Sequence, residues 1–351
     1  MMFHRRSGTL DAELAAMNEC MPHYYRITQG HGQGAELLMN AEAAFMQGNF
    51  SDAQILLEQT YSTIASNGQH NISLCCDFLD ARLSLFQESV TFVKNPEVKR
   101  KELLSLHNMM WLNIFDSTYA YYYALIRMPE KIPALFKDHM LSTVSFLSPC
   151  RPMMEMIENQ VFLSQKMYAK VIGRSETLLP VCEKMHYELV SLHIQIQTAA
   201  AYAMLGKHHD ARQLLQKALG HAMPDGFLIP FVENYTYIKD VLGSINSITP
   251  EPFTDRILSL GSVYEQHCLR LSSRNYRPEI LNMLNSREAE IAALITDRLS
   301  NREIAERLFL SEGTVKQYVN QIYSKLMING DTRTKRKQLA ELISSINKSL
   351  T

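Results

Sequence analysis

Lys316, Gln317, Asn320 and Ser324 recur at spacings that a helix of 3.6 residues per turn brings to one side. A lysine so placed can donate to guanine acceptors or to phosphate, and amide side chains can pair with adenine in a major groove. The same four residues also describe an ordinary solvated helix face, so the elements around them must decide between the two.

Val315, Val319, Ile322, Tyr323 and Leu326 fall at i, i+4, i+7, i+8 and i+11, which predicts a helix over 312–326 with one apolar stripe. Upstream, Ser300 stands three residues before Glu303, the capping-box arrangement that starts a helix. Its apolar positions Ile304, Ala305 and Leu308 keep helical spacing, and Phe309-Leu310 close it just before a second cap, Ser311. Two short helices joined by a tight turn, the second polar on its outer face, are the geometry that places side chains in a DNA major groove.

The order and separation of three motifs carry a resemblance. Leu284-Asn285-Ser286-Arg287-Glu288 is similar to Leu-Thr-x-Arg-Glu, Ser300 through Ala305 to Ser-Asn-Lys-Glu-Ile-Ala, and Thr314-Val315-Lys316 to Thr-Val-Lys. Together, from about Leu284 to Leu326, they resemble the LuxR-type four-helix DNA-binding domain. The resemblance implies that Lys316, Gln317 and Asn320 contact bases or neighbouring phosphates and that Thr314 lies near the DNA backbone. Three departures stand out: Arg298 where the family often has glycine, Tyr318 where it commonly has histidine, and the long basic stretch from Met327 to Lys337. Arg333, Lys335, Arg336 and Lys337 in that stretch suit phosphate contacts or a solvated turn equally. Leu339, Leu342, Ile343 and Ile346 are expected to complete the small core from a last helix.

Charge divides along the chain. From Ser286 onward there are 11 Lys and Arg against 8 Asp and Glu, whereas acidic residues outnumber basic ones upstream and the whole chain carries −1. A basic end on an acidic body suits a protein that holds DNA with one part only.

At 351 residues, 46% hydrophobic and 20% charged, the chain has globular composition and room for two domains. No apolar run approaches the roughly 20 residues of a membrane span, and the basic start lacks a signal-peptide core, so a cytoplasmic protein without membrane contact is expected. The initial Met-Met favours a natural start. Cys20, Cys75, Cys76, Cys150, Cys182 and Cys268 show no CxxC spacing and are expected reduced and mostly buried. His208-His209-Asp210 lacks a third partner, so no metal is expected. No nucleophile–base pair or phosphate loop is present, and neither a catalytic residue nor a cofactor is expected.

The upstream region reads as helical. Ala41-x6-Gly48-x-Phe50-x2-Ala53-x3-Leu57 matches Ala199-x6-Gly206-x-His208-x2-Ala211-x3-Leu215: in each, a helix ends at a glycine turn and a second starts with a small residue. These segments resemble the tetratricopeptide repeat, whose period of about 34 residues would fit roughly six or seven pairs between 34 and 270. Such pairs stack into a solenoid with a concave groove. Pro129, Pro133, Pro149, Pro152 and Pro180 are expected in turns, as are Pro224-Asp225-Gly226 and Pro250-Glu251-Pro252. Gly30-His31-Gly32-Gln33-Gly34, which lacks a phosphate-binding lysine, is read as a turn. Trp111 and Tyr119, Tyr121, Tyr122 and Tyr123 are read as core rather than groove. Ser272 to Pro278 opens a polar linker.

The expected fold is therefore all-α: a tetratricopeptide-like solenoid over 1–271, a linker over 272–283, and a LuxR-type domain over 284–351. The whole is similar to the C-terminal part of the large ATP-binding LuxR regulators related to the maltose activator, with Met21 to Gly32 and Pro224 to Phe231 resembling their sensor region, although no Gly-x4-Gly-Lys-Ser/Thr occurs. The implied function is a sequence-specific transcriptional regulator. Its implied partners are double-stranded DNA, a second copy of the chain on that DNA, RNA polymerase, and an effector or protein held by the repeats. The alternative is an adaptor that uses the repeat groove and keeps a divergent helix-turn-helix domain.

Overall fold

The computed structural model of the chain describes residues 4–65, 69–86, 96–144, 146–275, 284, 286–296, 299–308, 310–326, 328 and 334–339. Every regular element among them is a helix, so the all-α expectation holds. Two compact units emerge, Met1–Leu269 and Arg270–Thr351.

The body contains α1 (Leu10–Ile27), α2 (Ala35–Met46), α3 (Phe50–Ala65), α4 (His70–Leu83), α5 (Pro96–Ser105), α6 (Met109–Leu125), α7 (Ala134–Lys137), α8 (Arg151–Ser164), α9 (Tyr168–Met185), α10 (Glu188–Met204), α11 (His208–Ala222), α12 (Ile229–Glu233), α13 (Tyr235–Ile248) and α14 (Pro252–Asn275). The two segments singled out by pattern form the packed pairs α2/α3 and α10/α11. Ala41, Ala53, Ala199 and Ala211 are wholly buried, so the paired helices approach where a larger side chain would hold them apart. Gly48 and Gly206 turn the chain with φ of 80° and 74°, a conformation that costs other residues about 1 kcal/mol or more.

Lys166 and Arg127, with φ of 62° and 57°, hold the corresponding places after α8 and α6. A glycine-based pattern passes over both turns. Arg127, Lys166 and Gly206 follow one another at intervals of 39 and 40 residues, longer than the expected period.

The first helices also meet the last ones. The Leu228 amide donates to the Met46 carbonyl (2.9 Å), and the rings of Phe86 and Tyr264 lie 4.8 Å apart. Asp225 accepts from the amides of Gly8 (2.6 Å) and Leu10 (3.0 Å). At the centre of this closure, Arg82 of α4 donates from Nε and Nη2 to Glu233 of α12 at 2.7 and 3.1 Å, and the Tyr121 hydroxyl donates to the same carboxylate at 2.8 Å. Both ionised side chains are buried, at 1% and 0% exposure.

Most prolines lie at turns or first helical turns, as expected. Pro180 does not: it sits inside α9. A proline there lacks an N–H and crowds the preceding turn, but α9 continues because Val171, Leu178 and Cys182 are buried between neighbouring helices. Gly30, Gly32 and Gly34 form the expected turn, all with positive φ. Tyr119, Tyr121 and Tyr122 are core residues. The cysteines are all free, but only Cys76, Cys182 and Cys268 are buried, because Cys20 and Cys75 present open surface. Ser272 through Asn275 form the end of α14 rather than an extended linker, since they contain neither glycine nor proline to stop it; Tyr276 to Pro278 lie outside the described residues.

Candidate nucleic-acid interface

The C-terminal unit builds its site on α15 (Ser286–Thr296), α16 (Asn301–Leu308) and α17 (Glu312–Lys325), followed by a helical run over 334–339. The apolar stripes converge: Ile291 and Ile295, Ile304 and Ala305, and Val315, Val319, Ile322, Tyr323 and Leu326 share one core with Leu284, Ile328 and Leu339. Leu342, Ile343 and Ile346 lie outside the described residues.

Capping sets both helix starts. The Ser300 amide and hydroxyl donate to Glu303 Oε2 at 2.6 and 2.7 Å, while Ser300 Oγ accepts from the Glu303 amide at 3.3 Å. Hydrogen bonds from the Ser300 backbone and side chain hold the Glu303 carboxyl below the usual range. Ser311 Oγ accepts from the Thr314 amide at 3.1 Å and lies 2.7 Å from its hydroxyl, fixing the first turn of α17.

The motif Arg287-Glu288 braces this arrangement. Arg287 donates to the Leu308 carbonyl at 2.8 Å, satisfying an acceptor at the C-terminal end of α16 with a positive charge. Glu288, 1% exposed, receives the Lys325 ammonium at 2.7 Å and ties the end of α17 to α15. The pair thus fixes both helices of the helix-turn-helix, a role that its position in the sequence does not reveal.

With its core side buried, α17 turns Lys316, Gln317, Asn320 and Ser324 outward together. The side chains of Lys316, Gln317 and Asn320 make no hydrogen bond or ion pair with other described residues, so their polar groups remain available to an outside partner. Gly313 and Gln321 lie in the same exposed arc and were missed, although helical spacing alone could have found them. Thr314 is half-buried beside its cap, and Tyr318 packs against the core, which explains why an aromatic is accommodated there.

The basic stretch is used unequally. Arg336 donates to Asn301 Oδ1 (2.8 Å) and to the Leu299 carbonyl, so its guanidinium braces the start of α16. The Lys335 ammonium lies 5.9 Å from the centre of the Tyr323 ring, within cation–π range, and Lys337 is exposed. Arg333 lies outside the described residues, as does Arg298.

A polar helix face held clear of a small core by two capped, cross-braced helices defines a helix-turn-helix DNA-binding domain. Residues 282–336 match the family model of bacterial regulatory proteins, luxR family, and the chain carries a LuxR-type domain at its C-terminal end. The chain is similar to the transcriptional regulatory protein LnrK of Bacillus subtilis (strain 168), 33% identical over 110 residues that cover 31% of this chain and 49% of the relative. It is 45% identical over 53 residues to the transcriptional regulatory protein DegU of Brevibacillus brevis, covering 15% of this chain and 22% of the relative. For the transcriptional regulatory protein DesR of Bacillus subtilis (strain 168), the figures are 36% over 75 residues, 18% and 38%. The chain spans about half or less of the length of these relatives. No solved structure matches it significantly. Among the described residues no helix is long and apolar enough to cross a membrane.

Proposed function

We propose that the chain is a cytoplasmic transcriptional regulator: α17 reads a DNA major groove, and the helical body over 1–271 senses a ligand or protein and controls that binding. Lys316, Gln317 and Asn320 contact bases or adjacent phosphates, Ser324 and the missed Gln321 extend the contact, and Thr314, Lys335 and Lys337 lie toward the backbone. Arg333 is assigned to phosphate by the charge of its segment, whereas Arg336 supports the domain from within. Two copies pair on DNA, because one domain of this size reads a half-site. The body follows a tetratricopeptide-like plan, its helix pairs meeting end to end. RNA polymerase is the partner through which the bound regulator acts.

The observation that carries this reading is the exposed arc of α17, polar and without partners among the described residues, on helices that capping and ion pairing hold in place. Neutralising phosphate releases counterions, so affinity for DNA falls as salt rises. Lys316→Ala is expected to weaken binding and, if the lysine sits on phosphate, to reduce the magnitude of the salt slope by about 1. Fluorescence anisotropy with labelled duplexes over a salt series measures both; unchanged affinity at every salt concentration would refute the assignment of α17 and favour the adaptor reading.

A further inference from the structure

The body holds a partly open cavity of about 520 Å³ lined by α2, α4, α6 and α8, within the range of small-molecule sites. Its wall is mainly hydrocarbon and thioether, with Leu38, Met39, Ile72, Leu79, Ile114 and Met153 on it. The polar groups on the wall are largely engaged within the protein. The hydroxyls of Ser117 and Thr118 donate to the Ile114 carbonyl at 2.6 and 3.4 Å, and Asn71 Oδ1 accepts from the Trp111 indole at 2.7 Å. Arg5 donates to the Met185 carbonyl at 3.0 Å and lies over the Tyr187 ring.

Cys75 of α4 lines this space and has open surface, so an alkylating reagent can reach its thiol. A peptide would bring backbone amides into this space, and a sugar would bring hydroxyls, and the engaged wall groups leave those with few partners. A hydrocarbon surface needs no such partners and gains from leaving water, at about 25 cal/mol per Å².

We propose that this cavity binds a small, mainly hydrocarbon molecule with at most one polar end. The proposal rests on the reading of the body as a sensor and supplies its site. The wall also includes Glu42, which lies 3.9 Å from Arg82, the residue paired with Glu233. The occupant therefore sits against the same ion-pair group that joins the first helices to the last.

The test titrates the full chain with N-phenyl-1-naphthylamine, a neutral apolar dye whose fluorescence rises on leaving water. Saturable binding at one site per chain is expected. Cys75→Phe and Met153→Trp, which enlarge two lining side chains on different helices, α4 and α8, should each weaken it at least tenfold, with circular dichroism reporting that the helices are retained. Cys75→Ser should stay within about threefold of the native chain. In the unsubstituted protein the dye should also slow iodoacetamide alkylation of Cys75, read by mass spectrometry, a measurement that needs no variant to fold. Absence of saturable binding, or binding unaltered by both filling substitutions together with unprotected Cys75, would overturn the proposal. DNA affinity measured with and without dye tests the sensor reading separately: an occupied cavity with unchanged DNA affinity would refute that reading while leaving the binding site in place.

Discussion

Glu233→Gln keeps the shape of a buried side chain and removes its charge, which isolates the electrostatic role of the Arg82–Glu233 pair. In the native chain Glu233 accepts two bonds from Arg82 and one from Tyr121, with no exposure of its side chain. After substitution the Arg82 guanidinium stays charged in the interior, with Glu42 at 3.9 Å as the remaining acidic neighbour. Breaking a buried pair from one side typically costs about 3–5 kcal/mol. For a denaturant dependence of about 3 kcal/mol per M of urea, the unfolding midpoint should fall by roughly 1–1.7 M. Replacing both charges by Arg82→Met/Glu233→Gln removes the stranded cation, so the double variant should lose no more than the single one. Urea unfolding followed by circular dichroism gives all four corners of the cycle. A loss below about 1 kcal/mol for Glu233→Gln, or a double-variant loss equal to the sum of the singles, would show that the closure does not depend on this pair.

Two further outcomes follow from particular groups. His193 is wholly buried, its Nδ1 lies 4.0 Å from the Glu233 carboxylate, neither ring nitrogen has a hydrogen-bond partner among the described residues, and burial, reinforced by the Arg82 charge, pushes its pKa well below the usual 6.5. The unfolded chain therefore takes up a proton below about pH 6.5 that the folded chain refuses, and stability falls with pH there by about 1.4 kcal/mol per unit. His193→Phe should remove that part of the acid sensitivity; parallel stability–pH curves for the two proteins between pH 7 and 5 would contradict it. Ser311→Ala removes the acceptor of the Thr314 amide and should cost about 1 kcal/mol of local stability. Faster hydrogen exchange in the peptide covering residues 311–319 of the full chain checks this, and unchanged exchange would argue that the cap does not hold α17.

The C-terminal unit was legible because its signals are local. Ser300 and Glu303 cap each other, and every residue of the α17 stripe from Val315 to Leu326 enters the core. Long-range pairings were not legible, since nothing near Arg82 in sequence points to Glu233, 151 residues away, nor near Glu288 to Lys325. Arg336 shows the same limit from the other side: its charge suited phosphate or a solvated turn equally, and nothing near it in sequence points to the bonds that its guanidinium makes with Asn301 and Leu299. In the body, glycine marked two turns but Arg127 and Lys166 adopt the same left-handed backbone without the residue type that announces it. Pro180 inside α9 and the helical Ser272–Asn275 illustrate how packing and the absence of breakers override composition.

The most direct test of the account is selection of genomic DNA fragments by the purified full chain, run beside the Lys316→Ala/Asn320→Ala variant. The account predicts enrichment of a shared sequence made of two half-sites, lost in the variant while its helical content is unchanged. Equal enrichment by both proteins would contradict the claim that the exposed face of α17 reads DNA.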